Sequence, residues 1–338
     1  MNFSRTLLLL FLSVALPIQV IGGQPLNVIK VATLAPEGSS WVTALRTIDD
    51  EVRQETEGAL CLKIYPGGVQ GDEDVVLRKI RVGQLHGAGF GGMGTTLVYK
   101  DVLALELPFM FDEFGEIDYV LEQMDEYYKN GYQENGFEFL GWCEIGYVYL
   151  LTQRPVTSAD DIRGIKAWRL EKEPITEVLF RKAGVISVPL NIPDVLLGLQ
   201  TNLIEVAYAP PSAVIALQWF TRVKYVTELP LNYTVGVFLI DSRTFQRLDV
   251  EHQRILRRVS RRHMKQLSIY SRKENEEAIA VMKANGLEFV TPREEEVANF
   301  HSLVEETKSE LAGKAFSRRS LDIVQGHLHD YRQKKKIE

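Results

Sequence analysis

Residues 27–33 (NVIKVAT) mix apolar and polar positions with β-branched side chains, the pattern of a strand with two unlike faces. The next segment, 39–56, carries Trp41, Val42, Leu45, Ile48 and Val52 at helical spacing. A second strand is predicted over 60–65, running into the turn Pro66-Gly67-Gly68, and a second helix over 72–82, stopped by Gly83. The βα unit therefore repeats. A short Gly-rich strand follows at 85–90, a breaker-containing loop at 107–111, and a helix over 116–128 and beyond. The apolar run 138–152 exceeds the about 5–6 residues of an average strand, as expected of one or two strands running between lobes. After a polar connection at 155–164, strands at 166–170, 187–190 and 204–208 alternate with helices at 174–183 and 193–201. A strand at 235–240 precedes a charged, mostly helical remainder, with helices over 249–285 and 292–314 and residues such as Ile255, Val259 and Met264 on one face.

This pattern predicts an α/β chain in two lobes: 27–150 with 235–280, and 151–234 with 281–330. A helical C-terminal third coats both, and a solvated basic tail ends the chain at 331–338. A length of 338 residues suffices for two cores of ordinary size.

The first 23 residues read differently. Arg5 is the only charge before Lys30, 7–16 is almost wholly apolar, and Gly22 and Gly23 follow. The run is shorter than the ~20 residues a spanning helix needs, so a cleaved signal peptide over 1–23 is expected, with an uncleaved anchor as the alternative. No later segment offers ~18 uninterrupted apolar residues, which predicts an extracytoplasmic protein that meets its ligand outside the cytoplasm. A formal net charge of −6 disfavours nucleic acid and anionic membrane as partners. Cys61 and Cys143 are too few for a disulfide framework; one bridge or two buried thiols are both compatible with the sequence.

No catalytic constellation emerges. Gly87, Gly89 and Gly92 satisfy G-x-G-x-x-G, but the first lies inside the predicted strand rather than at a strand-to-helix turn. The spacing then reads as backbone passing close to a pocket. The six histidines include no i, i+4 pair, G-x-S-x-G is absent, and paired acids such as Asp160-Asp161 read as capping and solvation. No cofactor, no metal and no enzymatic activity are expected.

A series of motifs carries a resemblance. Pro36-Glu37-Gly38-Ser39-Ser40-Trp41, Glu55-Thr56-Glu57-Gly58, the run from Tyr65 through Pro66-Gly67-Gly68 to Gly71-Asp72-Glu73, Leu107-Pro108-Phe109-Met110-Phe111, Asp161-Ile162-Arg163-Gly164-Ile165-Lys166 and Leu199-Gln200-Thr201-Asn202-Leu203-Ile204-Glu205 occur in order over about 27–330. Together they resemble the C4-dicarboxylate-receptor (DctP) type of solute receptor of tripartite ATP-independent periplasmic (TRAP) transporters. The resemblance implies two α/β lobes, of the Venus-flytrap kind, joined by crossing strands and a long helix. They close on a small organic anion in the periplasm and are recognised, closed, by integral-membrane permease subunits.

Three departures bear on the ligand. The resemblance expects an Arg four residues after Gly164, where Trp168 stands, and another on the strand entering the second lobe, where Val148 stands; its polar triplet is Ala207-Tyr208-Ala209 here. Arg169 is adjacent, but strand alternation points it to the other face. The expected cleft is therefore largely apolar, lined by Trp41, Glu73, Phe90, Met93, Val148, Trp168 and Tyr208, with Trp219 as a further candidate. It suits an apolar or amphipathic carboxylic solute better than a dicarboxylate. A receptor of an ATP-driven importer and a periplasmic enzyme using the same cleft are the competing readings. The helical C-terminal third is a candidate homodimer surface.

Overall fold

The computed structural model describes residues 27–337; the predicted signal peptide lies outside them. The chain opens as expected. Strand β1 (Asn27–Thr33) leads to helix α1 (Ser40–Glu55), whose first turn is capped by Ser39 accepting from the Val42 amide at 3.3 Å, and which buries Val42, Leu45, Ile48 and Val52. Strand β2 (Leu60–Tyr65), helix α2 (Glu73–Arg81), strand β3 (Gly87–Phe90) and helix α3 (Gly92–Val98) follow. β1 pairs in parallel with both β2 and β3. The region predicted as one helix is two, α4 (Phe114–Gln123) and α5 (Asp125–Glu134), because the backbone turns at Met124.

Strand β4 (Phe137–Thr152) is continuous over 16 residues and belongs to both lobes. Beyond it come β5 (Lys166–Arg169), α6 (Pro174–Ala183), β6 (Ile186–Pro189), α7 (Val195–Gln200), β7 (Val206–Ala209), α8 (Pro211–Ala216) and β8 (Tyr225–Thr227). Strand β9 (Asn232–Asp241) and the short α9 (Ser242–Gln246) return the chain to the first lobe. The strand order is β2-β1-β3-β9-β4 in one lobe and β4-β7-β5-β6 in the other.

Helix α10 (Val250–Ala284) has 35 residues, a rod of about 50 Å at 1.5 Å per residue. Its first half packs on α1 and the β4 sheet, and Met282 at its far end enters the core of the second lobe. The chain ends with β10 (Glu288–Val290), α11 (Glu294–Leu311) and α12 (Arg318–Ile337). β10 pairs with β8, and α11 lies against α6, held by Arg181–Glu310 and Lys182–Glu306 contacts. The last helix departs from the predicted boundaries. α12 packs on α4 of the first lobe, and Lys334 and Lys335, expected in a free tail, bond to Tyr119 and Glu113. The apolar faces of α11 and α12 are thus spent within the chain. Cys61 and Cys143 are free, buried thiols on separate strands.

Where β4 leaves the first sheet, α10 supplies a polar anchor. Glu144, almost wholly buried, accepts from Arg272 Nε and Nη2 at 2.7 Å each and from the Tyr233 hydroxyl, while Arg272 also reaches both Asp118 oxygens. Removing one partner of such a buried pair leaves the other without compensation. Arg272→Ala is expected to lower the unfolding free energy by about 3 kcal/mol in urea denaturation; a loss below about 1 kcal/mol would contradict this reading.

Candidate functional site

A cavity of about 570 Å³ lies between the lobes. The first lobe contributes the loop entering α1 and the β3–α3 turn, the second β5, β7, α6 and α8, and β4, β9 and α10 form its floor. Trp41, on the first turn of α1, is wedged against β9: a Cβ at Gly236 would stand 2.4 Å from the indole. On the opposite side Trp168 stacks on Tyr208 with centroids 4.8 Å apart, and Trp219 meets it edge-on at 5.2 Å. The Trp168 indole N–H donates to the Leu190 carbonyl at 2.9 Å, and the Tyr208 hydroxyl lies 3.4 Å from Thr176 Oγ1. Their polar atoms are engaged within the protein, and of the three rings the half-buried Tyr208 offers the cavity most apolar surface, Trp168 and Trp219 being 3% and 2% exposed.

The charged lining is one-sided. Among the described residues it holds Glu73, Glu106, Glu173, Glu274 and Glu277 and no Asp, Lys, Arg or His. Glu73, at the start of α2, accepts from the Gly91 amide and from the Gly94 amide at 2.7 Å. Burial nevertheless pushes its pKa up to about 7. Glu106 accepts from Thr234 Oγ1 at 2.9 Å, and burial, reinforced by the charges of Glu173 and Glu73, raises it to about 8. The tight packing requires a glycine opposite: a Cβ at Gly92 would lie 2.9 Å from the Glu106 carboxylate and 2.7 Å from Thr234 Oγ1. Glu173 caps α6, accepting from the Ile175 and Thr176 amides at 2.9 and 2.7 Å, and burial raises it too. At the mouth, Lys172 Nζ reaches Asp74 Oδ2 at 2.6 Å, tying the second lobe to the first.

Of the residues singled out from sequence, Trp41, Glu73, Met93, Val148, Trp168, Tyr208 and Trp219 face this cavity. Phe90 does not. It is 1% exposed, its ring packs against Gly94 in the first-lobe core, and only its neighbours Gly89 and Gly91 reach the lining. Arg169 is also outside. Its Nε donates to Ser187 Oγ and its Nη1 to the Leu170 carbonyl, both at 2.9 Å, and Glu177 stands 3.6 Å away. Strand alternation places it on the outer face. Glu106 and Glu173 were missed. Glu173 precedes Pro174 and so carried a capping signal; Glu106, beside Leu107-Pro108, carried none. The glycines of the G-x-G-x-x-G spacing serve close approach: Gly89 lies against Trp41 and Gly92 against Glu106. Among the described residues no three His, Cys, Asp or Glu side chains are grouped as a metal site.

Two hinged α/β lobes around one cavity define a two-lobed solute-binding protein. The family model of the bacterial extracellular solute-binding proteins, family 7, matches residues 31–314, and the chain belongs to that family, the solute receptors of TRAP transporters. It is 24% identical over 254 residues to the 2,3-diketo-L-gulonate-binding periplasmic protein of Escherichia coli, covering 73% of this chain and 76% of that one. Against the sialic acid-binding periplasmic protein of Vibrio cholerae the identity is 20% over 271 residues, covering 78% and 83%. Among solved structures, a TRAP solute-binding protein of Xanthobacter autotrophicus with bound β-D-galacturonate superposes with a TM-score of 0.83 at 18% identity, covering 89% of this chain and 99% of that one. The receptor of an ATP-driven importer is not favoured.

The raised carboxyls give the protein a definite pH response. A carboxyl whose pKa is near 4.5 unfolded and about 8 folded binds more protons in the folded state across that window, so stability falls as pH rises through it. Glu106→Gln removes this loss. Its stability advantage over the parent is expected to be small at pH 5 and to grow by about 1.4 kcal/mol per pH unit towards pH 8. Denaturant midpoints across that range check it; an advantage independent of pH would refute the assignment.

Proposed function

We propose that this receptor captures a small organic solute with a substantial apolar body between the lobes 27–150 with 232–280 and 151–231 with 281–311, with α12 riding on the first. Trp41, Met93, Val148, Trp168 and Tyr208 contact the solute. The closed form delivers it to integral-membrane permease subunits from the periplasm, without turning it over. Support for the receptor role comes from family membership, from relatives that are periplasmic binding proteins, and from a described chain with no helix long and apolar enough to cross a membrane. Nothing in the packing of the C-terminal helices calls for a homodimer.

The observation that carries the ligand reading is the cavity wall. A sugar acid such as those bound by the galacturonate- and sialate-binding relatives needs a cation or a fork of donors for its carboxylate. Here Trp168 and Val148 stand where the family resemblance expects arginines, and Arg169 is engaged elsewhere. An unpaired carboxylate in such a wall would lose its hydration without a guanidinium to meet it. An apolar body, by contrast, gains by covering the indole and phenol faces.

Two measurements test this. Calorimetry with D-glucuronate, succinate and sialate is expected to show no binding, while protein purified from its producing cells and then unfolded releases a solute with a ring or chain body, identified by mass spectrometry. Trp168→Ala, which also removes the ring supporting Tyr208, is expected to weaken that solute by about 2 kcal/mol, roughly thirtyfold in Kd. Tight binding of a sugar acid that survives Trp168→Ala would overturn the proposal.

A further inference from the structure

From the one-sided charge of the cleft wall we infer that the solute carries a protonated nitrogen beside its apolar body, and that its positive charge is what permits the lobes to close. The inference rests on the apolar-cleft reading above and adds to it the charge of the cargo.

The carboxyls come from both sides of the gap. Glu73 and Glu106 belong to the first lobe and Glu173 to the second. Each of the outer pair is adjacent in sequence to a residue of the bridge across the mouth, Asp74 beside Glu73 and Lys172 beside Glu173. Forming that bridge therefore brings Glu173 towards Glu73 and Glu106 and removes all three from water. Desolvation and mutual repulsion oppose this step.

The groups facing these carboxyls do not neutralise them. Glu73 receives two backbone amides; Glu173 receives two amides and the Thr176 hydroxyl. Glu106 receives the Thr234 hydroxyl and the Val235 backbone, with the Tyr132 phenol behind it. The nearest base, Arg169, acts on Glu173 from outside the wall and is shared with Glu177. Lys172 is spent on Asp74. At the rim, Glu274 accepts from the Ser40 hydroxyl at 2.7 Å, and Glu277 pairs loosely with Lys273 at 3.5 Å on the exposed side.

Glu106 is 9% exposed and lines the cavity with acceptor capacity left over, since two donors occupy a group that can take about four. The three carboxyls are not grouped closely enough to chelate a metal ion, while an organic ammonium is large enough to meet them singly. Trp41 and Tyr208, half-buried in the lining, add the ring surface of an ammonium site, because ring faces attract cations. An anionic solute would instead oppose the ionisation of these carboxyls and gain nothing from it. Selection thus acts through closure: only a ligand that offsets the buried charge gains affinity in the closed state.

The test uses the whole mature chain and matched amine, alcohol and carboxylate ligands on three bodies: phenylethyl, cyclohexylethyl and hexyl. Calorimetry is expected to rank at least one amine tenfold or more above its alcohol, with no binding of the matching carboxylate. Its affinity should rise from pH 5 to pH 8 as the carboxyls ionise. Glu106→Gln, which keeps the shape of the side chain, is expected to weaken that amine about a hundredfold and bring the amine-to-alcohol ratio close to one. Glu173→Gln should act in the same direction, and thermal unfolding of both variants shows that they fold. Equal binding of amine and alcohol overturns the charge assignment and leaves the apolar cleft standing. Preference for a carboxylate, or tight D-glucuronate binding that strengthens at low pH, overturns both readings. Absence of binding by all three amines counts against the charge assignment.

Discussion

The structure depends on the main-chain pairing of β4. One strand pairs antiparallel with β9 from Phe137 to Val148 and then with β7 from Tyr149 to Thr152, so the hydrogen bonds of both sheets run through the same backbone. A strand paired with β9 along one stretch and with β7 along the next cannot slide, and the change of partner falls at Val148–Tyr149. Within the β9 ladder, register shifts fall after Phe139 and Glu144, at Gly141 and Gly146, both with positive φ. Asn275 of α10 closes the arrangement. Its amide donates to the Ile145 carbonyl at 2.8 Å and accepts from the Ser212 amide at 3.0 Å, joining hinge strand, long helix and the entrance of α8. A helix anchored at both ends and pinned at the hinge makes closure a defined rotation rather than a general loosening.

The cleft formed by this hinge combines two costly elements. Half-buried Trp41 and Tyr208 stand beside the cavity, where water gains little from them, and carboxyls are carried into a region where their charge is poorly solvated. Natural binding sites keep such destabilised groups where a ligand relieves them. Here the relief must come from a body that covers the rings and from a group that satisfies carboxylates. The bridge between Lys172 and Asp74 at the mouth is partly exposed and contributes little by itself. It marks the closed geometry without driving it, which leaves the ligand in control of the equilibrium.

Family membership and ligand choice are therefore separable properties of this chain. Capping residues, glycine turns and the βα repeats that make the family's frame are retained, including the Ser39 and Asp72 caps and the Pro66-Gly67-Gly68 turn. The positions where the resemblance expects guanidinium groups hold Trp168 and Val148. Retaining the frame while exchanging wall residues lets one closing motion serve chemically different solutes, because the hinge contacts are made by backbone pairing and polar bonds rather than by the exchanged side chains.

The sequence by itself determined the βα units of both lobes, the length of the crossing strand, the helical C-terminal third and the family. These follow from local periodicity, capping residues and short motifs whose signal lies within a few consecutive positions. It also indicated that Trp168 occupies a wall position and that Arg169 turns away, because strand alternation fixes the face of a neighbour. Only the tertiary structure decided that Phe90 belongs to the core, that α12 rides on the first lobe, and that Glu106 faces Glu173 across the cleft. The first is packing within one lobe, and the other two join residues 67 or more positions apart. No periodicity along the chain records how far a side chain on one lobe stands from a carboxyl on the other.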